Sequence, residues 1–586
     1  MARSRRKTSR RRSRVQIPQP RYTLRRWVVS GVLLLALLLI VGRAVERQVL
    51  ERDFLQAEGE RRYLRTVEMP ALRGVIFDRH GEPLALTTPV ESIWVNPQAL
   101  PADAHGPLAK GLGVSVKRLR KVLSEHQDKH FVYLKRRAKP DLVKRVRKAI
   151  RQHPKKLRGV HFEREYQRFY PAGEVAAHVL GFTNIDDHGQ EGLELAYDDW
   201  LTGTAGAKRV LKDGSGRVVR DVENIRGPEP GKDLVTSIDR RLQFLAYREL
   251  KAAVKKHRAL AGSAVILDAR SGEVLAMVNQ PSYNPNGRRD SRGGRFRNRA
   301  VTDMFEPGSA VKPLIVAAAL EAGLARPTTR IDTTPGLLRV GRHTVRDARD
   351  YGVLDVNEVI QKSSNVGISK IALQLAPEVM WRLLTKVGFG EETRSGFPGE
   401  AFGRLPHYER WSTFGQATLA FGYGLSVTTM QLAKAYAAIA ADGVKRSVSL
   451  LKREEIPGGE RVLRRSVARD VRRMMEGVVS TEGTAPQAAI PRYRVAGKTG
   501  TAKKVTAQGY AKDKYLAIFA GMVPASAPRL VMVVMIDEPR AGQFYGGQVA
   551  APVFARVMSG ALRLLNISPD GIPQDGPRLA SSGERL

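Results

Sequence analysis

Met304-Phe305-Glu306-Pro307-Gly308-Ser309-Ala310-Val311-Lys312-Pro313-Leu314-Ile315 is the stretch on which the reading of this chain turns. Pro307 and Gly308 stop the preceding segment, and an apolar helix follows through Val311, Leu314, Ile315, Ala317 and Leu320. Ser309 therefore opens a helix, where unpaired amides and the helix dipole favour developing negative charge. Lys312 lies one turn on and projects to the same face, within reach of the hydroxyl. That spacing supplies a nucleophile and an amine to take its proton, provided that burial or a cationic neighbour lowers the lysine pKa.

S-x-x-K alone is a weak signal, since Ser4 to Lys7 and Ser449 to Lys452 also fit it, and Ser282-Tyr283-Asn284 fits S-x-N. Only the set that starts at Ser309 continues, in order, with Ser363-Ser364-Asn365 and Lys498-Thr499-Gly500, at separations of 54 and 135 residues. Ser363 and Asn365 interrupt a helical pattern from Val356 to Leu373 with polar residues. A hydroxyl there can relay a proton to a leaving amine and an amide can bind an acyl donor's backbone; the plainer alternative is a helix-end cap. Lys498-Thr499-Gly500-Thr501 reads as a strand, with Gly500 permitting a close approach. Its hydroxyls and charge suit a terminal carboxylate, its main-chain amide can complete an oxyanion hole with that of Ser309, and Lys498 is a cation able to depress Lys312.

At 586 residues with 42% hydrophobic content, two or three domains are expected. The absence of cysteine excludes disulfides, thiolate metal sites and cysteine nucleophiles. The net charge of +40 invites a nucleic-acid reading, but eleven of the basic residues sit in residues 1 to 26. The remainder is largely Arg and Lys mixed with acids in helical stretches such as 117 to 157, which read as solvated faces, so no nucleic-acid partner is expected. His126 and His130 have ligand-like spacing without a third ligand, and neither a metal nor a cofactor is expected.

Trp27 to Gly42 is an unbroken run of apolar and small residues between Arg25-Arg26 and Arg43. Its sixteen residues span about 24 Å, and Ala44, Val45 and a snorkelling Arg43 extend it toward the roughly 30 Å of a bilayer core. No small-x-small cleavage site follows, so it reads as a retained anchor, with residues 1 to 26 held in the cytoplasm by their charge and everything after about 45 outside. Residues 46 to 62 read as a polar, heptad-like helix, and Asp78 to Gly81 as a hairpin turn. A basic helical insertion is expected over about 106 to 157, followed by turns at Arg168 to Gly173 and Gly189 to Glu194 and a helix ending near Gly203. Pro228 to Lys232 marks a boundary, and Asp239 or Ser237 caps a helix from Arg240. A hairpin follows over 263 to 278, the Arg- and Gly-rich 284 to 297 reads as mobile, and apolar strands at 515 to 522 and 530 to 536 precede a helix from Ala551 to Leu565. Strands, a helical middle, then strands and a helix indicate an α/β sandwich closed by both ends of its domain.

Taken together these blocks resemble the penicillin-binding, serine acyl-transferase superfamily, and more narrowly the class B penicillin-binding proteins of the septal, cell-division type. The resemblance rests on Arg73-Gly74, Asp78-Arg79 and Gly81, on Arg168 to Gly173 and Gly189 to Glu194, and on Asn298-Arg299-Ala300 and Met304 to Ser309. It continues through Gln361 to Gly367, Phe421 to Leu425 and Lys498 to Lys504. It implies an α/β penicillin-binding transpeptidase domain of β-lactamase-like fold (228 to 566), a β-rich pedestal (46 to 227), a single transmembrane helix (27 to 45), a cytoplasmic tail (1 to 26) and a disordered C-terminal tail (567 to 586). It implies a D,D-transpeptidase of the inner membrane, facing the periplasm, that cross-links peptidoglycan stem peptides at the septum through an ester on Ser309, releases D-Ala, and is trapped by β-lactam antibiotics. Lys312 would be the base, Ser363 the relay, Asn365 a donor to the acyl chain, and Lys498, Thr499, Gly500 and Thr501 the carboxylate-binding strand. With no glycosyltransferase domain ahead of the pedestal, the resemblance also implies work beside a membrane glycosyltransferase of the FtsW kind and other division proteins. A D,D-carboxypeptidase, a β-lactamase, a β-lactam sensor and a non-catalytic division scaffold are the rival readings.

Overall fold

A computed structural model describes residues 23–54, 58, 64–212, 218–287, 294–506 and 509–571. The basic tail up to residue 22, most of the second half of the expected 46–62 helix, the centre of the 284–297 segment and the tail after 571 lie outside the described residues. The rest falls into two compact units, one of residues up to Met69 with Ala207–Gly227, the other of Pro70–Gly206 with Pro228 onward.

In the first unit, Thr23–Val45 is one α-helix whose apolar side chains are all exposed. At 1.5 Å per residue it is about 34 Å long, enough to cross a bilayer core. Glu46–Leu50 continues it as a π-helical turn. Leu64–Met69, Gly206–Lys212 and Val218–Arg226 form a three-stranded sheet.

The second unit begins with the expected hairpin: Ile76–Phe77 pairs antiparallel with Pro83–Val95, and Asp78 Oδ1 accepts from the amides of His80 and Glu82 to close the turn. Pro83–Val95 then pairs with Val160–Phe169 along ten residues. The insertion is not all helical. Helices His105–Leu112, Val116–Ser124 and Pro140–Gln152 are separated by a strand, Val132–Ala138, that pairs with the long strand. The run of Arg and Lys hid that strand. Val132 and Ala138 are buried at its ends, and the helices turn Leu108, Leu119, Val143 and Val146 onto the same small core. The segments at 168–173 and 189–194 are more than turns. Glu194 is fully buried between Arg73 and Arg168, each guanidinium 2.7 Å from one of its oxygens. Arg168 also donates to the carbonyl of Gly74, so the three motifs are held in one charge network.

The largest core surrounds a five-stranded sheet of β1 (Ala261–Asp268), β2 (Val274–Gln280), β3 (Ala496–Thr506), β4 (Gly509–Val523) and β5 (Leu530–Asp537), ordered β2-β1-β5-β4-β3 with every neighbour antiparallel. Every residue of β2 and β5 is buried, as continuous apolar runs require when a sheet is covered on both faces. Helices α1 (Arg240–Lys256) and α7 (Ala551–Leu564) pack together on one side, and α5 (Thr429–Ala440) lies across β1, β4 and β5 on the other. The cap of α1 is Asp239, whose carboxylate accepts from the amides of Arg241 and Leu242. Between β2 and β3 the chain forms the helical middle, including α2 (Lys312–Glu321), α3 (Val356–Lys362), α4 (Asn365–Gln374) and α6 (Arg465–Gly477). Strand β3 ends the sheet, so one of its edges is open to the helical layer that carries the serine motifs.

Candidate active site

Ser309 lies in a 3₁₀ turn, Gly308–Val311, and α2 begins only at Lys312. Gly308 has φ +55°, and a Cβ there would stand 3.1 Å from the Thr501 carbonyl. A Cβ on Gly500 would stand 2.5 Å from the carbonyl of Pro307. These two glycines set the nucleophile's turn directly against β3. Tyr436, fully buried on α5, donates to the carbonyl of Ala310 at 2.7 Å and fixes the turn from below.

Helix α3 stops at Ser363, which takes φ +62°. Ser364 then caps α4 by accepting from the Gly367 amide at 2.8 Å. The helical pattern expected to run through 356–373 is thus two helices, and the break throws Ser363 out toward β3. Within Ser363-Ser364-Asn365 one serine caps a helix, while the other faces a cleft of about 430 Å³ with Ser309, Asn365, Thr499 and Thr501.

The two lysines converge on Ser363. Lys312 Nζ donates to the Ser363 carbonyl at 2.6 Å, to its Oγ at 3.2 Å and to Asn365 Oδ1 at 2.8 Å. Lys498 Nζ donates to the same Oγ at 2.8 Å. Both lysines are fully buried. Burial disfavours the charged form, and for Lys312 the Lys498 charge adds to it while Asp347 opposes it, so Lys312 lies well below the usual lysine range. Burial brings Lys498 down to about 7. In this resting geometry Lys312 is bonded to Ser363 and Asn365 rather than to the Ser309 hydroxyl expected from their spacing, and Lys498 faces Ser363 rather than the open cleft. The cleft side of β3 is carried by the Thr499 hydroxyl, 2.9 Å from that of Thr484, and by Thr501, whose hydroxyl accepts from the Gly546 amide at 3.1 Å.

Asp347 escaped the sequence reading. One of its oxygens accepts from the amides of Asn365 and Val366 at 2.5 and 3.0 Å, the other from the Ser364 hydroxyl at 2.6 Å, so it holds the whole S-x-N break. In sequence it is one acid within Arg346-Asp347-Ala348-Arg349-Asp350, indistinguishable from Asp350. Thr484 and Tyr545, which also line the cleft, carried no signal either.

Residues 262–559 match the family described as the penicillin binding protein transpeptidase domain, and residues 68–236 the one described as the penicillin-binding protein dimerisation domain. The chain belongs to the class B penicillin-binding proteins. Over 553 residues, 93% of this chain and 92% of the relative, this penicillin-binding protein is 43% identical to the peptidoglycan D,D-transpeptidase FtsI of Escherichia coli K12. It is 44% identical over 538 residues, 90% of this chain and 91% of the other, to the probable peptidoglycan D,D-transpeptidase PenA of Neisseria meningitidis. Among solved structures it resembles penicillin-binding protein 3 of Mycobacterium tuberculosis complexed with aztreonam, at 30% identity and a TM-score of 0.67, covering 86% of this chain and 98% of that one. The resemblance seen in the motifs is therefore borne out across nearly the whole length of the penicillin-binding protein.

Proposed function

We propose that the protein is a peptidoglycan D,D-transpeptidase of septal wall synthesis, working through an ester on Ser309. The observation that carries this reading is the placement of Ser363 Oγ between two buried lysines whose proton affinity is lowered, beside the half-buried Ser309, whose 3₁₀ turn is set against the open edge of β3. Neutral Lys312 takes the proton of Ser309 Oγ as that oxygen attacks the carbonyl of the penultimate D-Ala; the resting bonds to Ser363 and Asn365 are exchanged when substrate enters. The amides of Ser309 and of β3 stabilise the oxyanion. The proton passes from Lys312 through Ser363 to the departing D-Ala nitrogen, and the tetrahedral intermediate collapses to the ester. Asn365 holds the acyl chain, and Thr499 and Thr501, backed by the Lys498 charge, hold the terminal carboxylate. An acceptor amine on a neighbouring strand then resolves the ester in the reverse sequence. β-Lactams, built like the D-Ala-D-Ala end, form the same ester without a leaving group that departs.

The same reading extends to architecture. Residues 1–26 are cytoplasmic, 27–45 span the inner membrane, 46–227 form a periplasmic pedestal, 228–566 the catalytic domain and 567–586 a tail; eleven basic residues ahead of the apolar helix support this orientation. A membrane glycosyltransferase of the FtsW kind supplies the strands. The test is acylation of the detergent-solubilised chain by a fluorescent penicillin, with mass spectrometry of the labelled peptide. A long-lived adduct on Ser309, absent in Ser309→Ala, is expected; rapid turnover of the drug would instead identify a β-lactamase. Donor peptide with added acceptor amine should give cross-linked product, where hydrolysis alone would identify a carboxypeptidase. Cell division sustained by Ser309→Ala would reduce the protein to a scaffold.

A further inference from the structure

A cavity of about 470 Å³ lies at the end of α5, against the first turns of α6 and the turn between β4 and β5. Arg270, Arg446, Arg461, Arg465, Arg469 and Arg472 line it, and its one acid is Asp442. Helix α6 carries the last three arginines at i, i+4 and i+7, which is one face of a helix. At 1.5 Å per residue its ends, Arg465 and Gly477, are about 18 Å apart, and the chain beyond Gly477 reaches Thr484 at the active-site cleft. The arginine end of α6 therefore faces a site of its own.

Asp442 answers only half of these charges. It follows α5 with φ +53°, and its Oδ2 accepts from Arg465 at 2.9 Å and Arg469 at 3.2 Å while its Oδ1 accepts from Arg472 at 3.0 Å. The other three guanidiniums meet no acid. Arg461 donates to the carbonyls of Asp442 and Leu463 at 3.0 and 3.2 Å, and Arg446 to the carbonyl of Pro457 at 3.4 Å. The exposed Arg270 side chain has no hydrogen-bond or ion-pair partner among the described residues. Glu460, beside Arg461, is taken by Lys445 at 2.8 Å, and Glu454 and Glu455 stand exposed on the loop of Ile456 without an ion pair among the described residues. Backbone carbonyls thus orient Arg446 and Arg461 without neutralising them. Cations gathered round a cavity draw anions to it, and the planar fork of each guanidinium matches a carboxylate.

We propose that this cavity docks an acidic segment of a partner protein, an extended run that places at least two carboxylates against Arg270, Arg446 and Arg461. Asp442 displays the mode within the chain itself, since one carboxylate there serves three guanidiniums. Side chains at alternate positions of an extended segment share a side about 7 Å apart, so acids at i and i+2 reach neighbouring guanidiniums together. The volume is that of a pocket for a short segment rather than of a flat interface. Ile456, 62% exposed at the rim, offers an apolar contact to the residues between the acids. A peptidoglycan stem peptide suits the cavity less well, because the ammonium of its diamino acid would be repelled by the arginines.

The test is fluorescence anisotropy of a labelled hexapeptide with glutamate at alternate positions, titrated with the full chain in detergent at about 150 mM salt, where long-range attraction to the basic chain is screened. Its counterpart with glutamine in place of glutamate should bind at least about tenfold more weakly, the discrimination that one charge-assisted contact allows. Arg270→Gln with Arg446→Gln should cost the glutamate peptide about tenfold. Arg270→Glu, at an exposed side chain that bonds to nothing, should do the same with an unchanged melting curve. Arg118→Gln with Arg145→Gln removes the same charge from exposed positions of the basic insertion and should leave binding in place. An equal loss in that control pair, or equal affinity for the glutamine peptide, overturns the proposal by reducing the contact to net charge. Binding that survives both Arg270 variants places the peptide elsewhere and overturns it too. Displacement of the peptide by inorganic pyrophosphate or by a soluble stem tripeptide at lower concentration than by unlabelled glutamate peptide assigns the cavity to phosphate or to peptidoglycan, and either result overturns the partner-protein assignment.

Discussion

Replacing Lys498 by glutamine removes one charge from the pair that brackets Ser363 and should move the pH dependence of acylation in a direction the geometry fixes. Lys312 Nζ and Lys498 Nζ stand 3.2 and 2.8 Å from one oxygen. Their nitrogens are therefore at most about 6 Å apart, and at an effective dielectric of about 20 two unit charges at that distance repel by about 2.8 kcal/mol, or about 2 pKa units. Lys312 is held low by burial first and by Lys498 second, so removing Lys498 raises it. A base with a higher pKa is neutral over a narrower, more alkaline range. The acid limb of acylation by penicillin should move up by about 2 units, the rate near pH 7 should fall by as much as ~100-fold, and much of it should return by about pH 9. Lys498→Arg keeps the charge and should leave the limb in place, whatever it does to the plateau. The assay is the second-order rate of fluorescent penicillin acylation from pH 5 to 10, with melting curves to confirm folding. If the Lys498→Gln limb superimposes on that of wild type at a lower plateau, the Lys498 field does not tune the base, and the account of Lys312 is wrong.

Asp347→Ala should separate positioning from charge. Asp347 raises the Lys312 pKa, so loss of its charge alone would move the limb to lower pH, while loss of its three hydrogen bonds, worth about 1–3 kcal/mol where amides are left unpaired, should lower the plateau about 10- to 100-fold by freeing Asn365. Gly500→Ala puts a methyl 2.5 Å from the Pro307 carbonyl and should destabilise the domain by about 1–3 kcal/mol, read as a lower melting temperature together with slower Ser309 acylation. Glu194→Ala leaves two buried guanidiniums without their carboxylate and should cost about 3–5 kcal/mol in thermal or denaturant unfolding; a loss under about 1 kcal/mol would show that water or Asp198 replaces the lost carboxylate.

Leu530–Asp537 was legible because burial on both faces of a sheet requires an apolar run, and Ala551–Leu564 because Val553, Phe554, Val557, Met558, Ala561 and Leu562 recur at the helical spacing of one buried face. Val132–Ala138 was not, because four of its seven residues are basic or aromatic and its pairing partner lies some forty residues earlier in the chain. The serine and lysine motifs could be ordered from their spacing. Asp347 could not be singled out, since its acceptors are used by amides that only the fold brings to it.

By itself the sequence determined the chemistry available: a serine at a helix start, a lysine one turn on, a second hydroxyl with an amide, and a cationic strand with a glycine where two backbones must touch. Local spacing within a helix or strand is enough for that, because each such element fixes the relative directions of its own side chains. Only the tertiary structure decided that Lys312 and Lys498 meet at a single oxygen, that both are stripped of water, and that Ser363 leaves its helix to stand between them. Those outcomes depend on distance and dielectric between segments 135 residues apart, which no pattern along the chain encodes.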